Sequence, residues 1–185
     1  GYIVWSSASQ ALAVNPGCGM WAENTPSDWT VDDDWESFEP WPDSEERVEI
    51  RRGFDASPYQ MPSYEEITFS PRDNSEIELS GWYVEVESGA PVVILTHGMP
   101  VNGKCKPEML LMQGYLAEGG INTLSFDLRN YGNSDVVDDF VSVGQKEYKD
   151  LLGAYDWLIS EKAYQPGKVG ICLLYTSDAA DEFSC

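Results

Sequence analysis

Pro91-Val92-Val93-Ile94-Leu95-Thr96 is a short, unbroken run of apolar and β-branched residues. As a strand it offers no polar face to water, so it must be covered on both sides. That requirement places it inside a parallel sheet, where crossover helices cover the two faces. Ile121–Phe126 and Lys168–Ile171 read in the same way, and helical patterns stand between these runs. Pro107–Glu118 carries Met109, Leu110, Met112 and Leu116 and is stopped by Gly119-Gly120. Within Gln145–Glu161, the residues Tyr148, Leu151, Leu152, Tyr155, Leu158 and Ile159 fall on one helical stripe. Upstream, Tyr64–Ser70 alternates apolar and polar residues, Pro71–Asn74 forms a turn, and Ile77–Val86 is a second strand. The chain therefore reads as an N-terminal hairpin followed by β-α-β-α-β, which predicts an α/β fold with a parallel sheet and helices on both faces.

This frame divides the sequence into three parts. Residues 1–62 are an irregular arm rich in acid, Trp and Pro, with Trp21, Trp29, Trp35 and Trp41 as candidate anchors onto the domain. Residues 63–171 carry the regular elements. Cys172–Glu182 is similar, residue for residue, to the translation of a transposon mosaic end joined to a sequencing adapter, so 172–185 reads as a non-native tail. Asp and Glu number 32 against 11 Lys and Arg, a formal charge of −21. Such a surface repels phosphate backbones, and nucleic acid is not an expected partner. The acids crowd between Asp32 and Glu46 without the glycine and terminal glutamate of a calcium loop, and they read as a solvated face. Cys18 and Cys105 form either a disulfide or two separate thiols, according to compartment; with no CxxC they make no zinc site. No segment is long and apolar enough to span a bilayer. Gly1–Val14 reads equally as the end of a signal or anchor segment and as an ordinary N-terminal element, which leaves the protein exported, anchored or cytoplasmic.

Two motifs stand where a parallel sheet gathers its chemistry, after the C-terminal ends of strands. His97-Gly98-Met99-Pro100 follows the run Val92–Thr96, and Asp127-Leu128-Arg129-Asn130-Tyr131-Gly132-Asn133-Ser134 follows Ile121–Phe126. As HGxP and DxRxxGxS in this order, they resemble the α/β-hydrolase family, in its serine hydrolase and serine aminopeptidase-like group. Tyr64–Phe69 with Leu79–Tyr83, the helix leading to Asp150, and Lys168–Ile171 are similar to further parts of the same frame. The resemblance spans roughly Tyr64–Ile171. It implies an incomplete α/β-hydrolase fold in which the backbone N–H of Met99 faces the developing oxyanion, with Gly98 allowing a close approach. It implies that His97, Gly98 and Pro100 form the active-site loop around that amide. His97 is the only histidine, but the family's base follows its nucleophile in chain order, so His97 is expected to brace the loop. Asp127, Arg129, Gly132 and Ser134 are expected to form a structural loop, with Asp127 and Arg129 paired and Gly132 at a bend. Ser134 lacks the flanking glycines of a nucleophile elbow.

The family's GxSxG is expected directly after Ile171, where the adapter-like tail stands instead. Nucleophile, acid and base are absent from these residues, so the chain reads as an inactive N-terminal fragment of a serine hydrolase. The resemblance implies a small-molecule or peptide acyl substrate (ester, thioester or amide) and neither metal nor organic cofactor. Two other readings stay open. Gly98–Lys104 also matches GxxxxGK of a phosphate-binding loop, although Cys105 stands where Ser or Thr would hold magnesium and Pro100 removes one amide. A non-catalytic binding protein on the same fold is the other.

Overall fold

The structure, a computed structural model, describes residues 14, 17–31, 53–98 and 103–174. Among the described residues, five strands and two α-helices follow one another: β1 (Glu65–Phe69), β2 (Leu79–Val84), β3 (Val92–His97), α1 (Pro107–Glu118), β4 (Asn122–Phe126), α2 (Tyr148–Ser160) and β5 (Val169–Leu174). They form one sheet in the order β1-β2-β4-β3-β5. β1 pairs antiparallel with β2, and β2 antiparallel with β4. β3 runs parallel to both β4 and β5. The predicted hairpin and parallel crossovers are both present.

The two faces are covered as the apolar run in β3 requires. On one face Val92, Ile94, Leu124 and Phe126 pack with Ala154 and Leu158 of α2. On the other, Leu95 packs with Met109 of α1 and with Cys172 and Leu174 of β5. α1 keeps the predicted limits because proline opens its first turn and Gly119 closes it. α2 begins at Tyr148 and not at Gln145. The cause is Glu147, whose carboxylate turns back to accept the N–H groups of Ser142 (2.7 Å) and Gly144 (2.8 Å), holding the preceding residues in a turn. β5 runs past Ile171 through Cys172 and Leu173 to Leu174, paired with Leu95–His97. The boundary expected at residue 171 therefore falls inside a strand; Cys-Leu-Leu has the extended, apolar character that a parallel ladder accepts. β5 lies at the end of the sheet, where Ile171 and Leu173 face outward and remain exposed.

The arm joins the domain through its described part. Cys18 and Cys105 form a disulfide across 87 residues of sequence, with Cα atoms 6.2 Å apart. Trp21 and Trp29 are buried beside it with Trp82 and Leu110. The side-chain amide of Asn24 donates to the carbonyls of Thr30 (3.1 Å) and Cys105 (3.3 Å), tying the arm's turn to the start of α1. Trp35, Trp41 and the acidic run lie outside the described residues. Among the described residues, no helix is long and apolar enough to cross a membrane, and no cluster of three or more His, Cys, Asp or Glu is placed to hold a metal ion.

Candidate active site

His97 ends β3, and the segment 127–134 begins where β4 ends, so the two sequence motifs meet at the same end of the sheet. His97 is buried. Its Nε2 accepts the N–H of Leu128 at 3.1 Å. The proton therefore sits on Nδ1, which donates to the carbonyl of Gly98 at 3.0 Å. Both ring nitrogens are occupied, and burial holds the imidazole below its ordinary pKa of 6.5. Tyr131 meets the ring edge-on at 4.8 Å, its own hydroxyl pushed up to about 12 by burial. The histidine is thus a neutral strut between Gly98 and the segment after β4. Met99 and Pro100 lie outside the described residues.

A consequence can be measured. The unfolded chain protonates His97 near 6.5, while the folded chain resists that proton. Stability is full above 6.5 and falls as pH drops below it, because the unfolded state then binds more protons. Urea midpoints between about pH 7.5 and 5.5 should fall for the wild-type chain and fall less for His97→Gln; the carboxylates begin to titrate lower.

Asp127 organises the second half of the site. It is fully buried, and its Oδ1 accepts the backbone N–H of Lys104 at 2.6 Å. Its Oδ2 accepts the Lys104 Nζ at 2.6 Å and the N–H of Asn133 at 2.9 Å. Lys104 is buried too, with Nζ also donating to Ser80 Oγ at 2.9 Å and lying 4.8 Å from the centre of the Trp82 ring. The carboxylate leaves no room around it. A Cβ on Gly103 (φ +71) would stand 2.0 Å from Oδ1, and one on Gly132 (φ +49) 2.2 Å from Oδ2. Only glycine combines that left-handed backbone with the missing volume. Ser134 donates through its hydroxyl to the carbonyl of Asp127 at 2.6 Å and accepts the N–H of Ser80 at 2.9 Å. Its oxygen is bound up in the loop.

Arg129 does not pair with Asp127. Its Nε and Nη2 donate to Asp150 Oδ1 at 2.8 and 2.6 Å, its backbone N–H to Asp150 Oδ2 at 2.9 Å, and Nη2 also to Asp73 at 2.8 Å. The expected Asp127–Arg129 pair is replaced by two pairs, each closed by a residue more than a turn away in sequence. Each buried charge takes the partner that fills its hydrogen bonds: Lys104 completes the set around Asp127, and Asp150 takes two guanidinium N–H groups on one oxygen and the Arg129 backbone N–H on the other. In the sequence, Lys104 carries a signal only as the lysine of GxxxxGK. That reading loses its lysine, which faces Asp127 and cannot reach a phosphate. It also loses its helix, since α1 starts at Pro107 and not at Gly103-Lys104.

The fold has solved counterparts. The chain is similar to the esterase Pf2001 of Pyrococcus furiosus, at TM-score 0.51 and 27% identity, covering 65% of this chain and 44% of the esterase. A second crystal form of that esterase gives 0.51 and 27% over 65% and 45%. An α/β-hydrolase of Vibrio vulnificus aligns at TM-score 0.48 and 22% identity over 58% of this chain and 34% of that one. The chain thus spans less than half the length of the esterase it resembles. No family model and no curated protein matches it.

Proposed function

From a chain that has the N-terminal part of an α/β-hydrolase fold, we infer a hydrolase of acyl bonds: ester, thioester or amide. The observation that carries this reading is the strut at the end of β3. His97 clamps the carbonyl of Gly98 and the amide of Leu128 together, and the next residue, Met99, supplies the main-chain N–H proposed as oxyanion donor. A donor of this kind acts only if it is fixed before charge develops on the acyl oxygen. A neutral, doubly bonded, buried imidazole suits that task and not proton transfer. The likeness to Pf2001, an esterase, supports the same reaction class.

The nucleophile is proposed to be a serine on the chain that continues β5, activated by a histidine base and an acid that follow it. No GxSxG occurs in the 185 residues. Without a base, a serine hydroxyl is a weak nucleophile, so an oxyanion donor by itself gives no useful turnover. The direct test is labelling with a fluorophosphonate. The uninterrupted gene product should bind the probe covalently and release p-nitrophenol from p-nitrophenyl acetate, whereas these 185 residues should do neither. An uninterrupted product that ignores both reagents would end the hydrolase reading, and labelling of the 185-residue chain would overturn its proposed inactivity.

A further inference from the structure

We infer that Tyr59 and Tyr115 form an oxidative modification site, where a one-electron oxidant joins the two rings as a dityrosine. The inference is independent of the hydrolase reading. Tyr115 stands on the outer side of α1, 50% exposed. Tyr59 ends the short 3-10 turn Ser57–Tyr59 and is half-buried. Their ring centres lie 4.7 Å apart and their hydroxyl oxygens 3.4 Å apart. As a hydrogen bond that contact is weak. Because the hydroxyls are nearer than the ring centres, the rings converge at the ends where phenoxyl radicals couple. The pair is also held in place. Gly114, one residue before Tyr115, leaves room for the Tyr59 backbone; a Cβ there would stand 2.6 Å from the Tyr59 carbonyl oxygen. Phe54 stacks against Tyr59 at 6.0 Å with the ring planes 11° apart.

The oxidant is hydrogen peroxide acting through a haem peroxidase. Each phenol gives up one electron and its hydroxyl proton. The two phenoxyl radicals then join at carbons ortho to their oxygens, and the hydrogen on each of those carbons moves to oxygen, restoring both phenols. One peroxide becomes two waters, and the protein loses two hydrogen atoms. Two radicals held side by side meet far more often than two on separate molecules, so the bond forms within one chain. Disulfides persist in oxidising surroundings, and Cys18–Cys105 already joins the same arm to the residues just before α1. Tyr83 and Tyr164 are a second pair, with hydroxyls only 2.8 Å apart. Tyr83 is buried, however, and the Tyr164 oxygen also accepts the side-chain amide of Asn122 at 2.7 Å. Access to the oxidant therefore selects Tyr59 and Tyr115.

The test treats the dilute 185-residue chain with hydrogen peroxide and a haem peroxidase. The expected product is a monomer with dityrosine fluorescence, lighter by two hydrogens, whose protease digest contains one peptide joining Tyr59 to Tyr115. Tyr115→Phe keeps the ring and removes the phenol, so it should lose that monomer fluorescence. In concentrated urea the two rings separate, and the same treatment should yield far less of the joined peptide. Dimers alone, a peptide joining Tyr83 to Tyr164, or no dityrosine would each overturn the inference. An equal yield in urea would overturn it as well, because the fold would then play no part in the coupling.

Discussion

Replacing Asp127 by alanine is expected to destabilise the domain by about 3–5 kcal/mol. The side chain deleted is small, and little apolar contact goes with it. The loss comes from what is left behind. Lys104 keeps an ammonium in a site with almost no solvent exposure, and its backbone N–H and that of Asn133 lose their acceptor. Each unpaired buried donor carries its own desolvation penalty. Comparison with Arg72–Asp156 fixes the interpretation. That pair is as short, at 2.6 Å, but both side chains are about half exposed, and water replaces either partner. Urea unfolding of Asp127→Ala and Arg72→Ala should give a large fall in midpoint for the first and almost none for the second. Equal midpoints would show that Asp127 is not sealed from solvent.

Removing the Cys18–Cys105 disulfide should have an effect of similar size from a different source. The bond closes a loop of 87 residues, and the loop-entropy relation gives about 4–5 kcal/mol for a ring of that length. This acts on the unfolded chain, which regains the conformations that the cross-link denied it. Cys18→Ala/Cys105→Ala should therefore unfold at much lower urea than the oxidised chain. Because Trp21 and Trp29 are buried beside the bond, their fluorescence reports whether the arm leaves first or unfolds with the sheet. Identical midpoints for the two proteins would show that the arm is held without the cross-link.

The frame of the molecule was legible because it depends on local pattern. The β-branched run became β3, and α1 came out with its predicted ends because Pro107 and Gly119 are signals that a single helix carries by itself. The start of α2 was not legible. It turns on whether Glu147 caps forward or bonds backward to Ser142, and both are open to a glutamate in that position. The site was legible in its place and not in its wiring. HGxP and DxRxxGxS fixed which strand ends meet. Asp127 and Arg129 stand side by side in sequence, however, and nothing in that spacing tells that their partners are Lys104 and Asp150. Those partners arrive from α1's leading loop and from α2 once the sheet has formed. The single polar residue on the buried side of α2, Asp150, was the available hint. The disulfide is not legible for the same reason, since it depends on a distance across the fold.

That cross-link also sets a timetable for the growing polypeptide. Cys18 leaves the ribosome 87 residues ahead of Cys105. At roughly 5–20 residues per second, its thiol waits about 4–17 s for a partner. During that time the tryptophans around it have no helix to settle against, because α1 is made after Cys105. The arm is therefore made before the helix it packs on and placed after it, and it depends on whatever shields and oxidises a waiting thiol in the meantime.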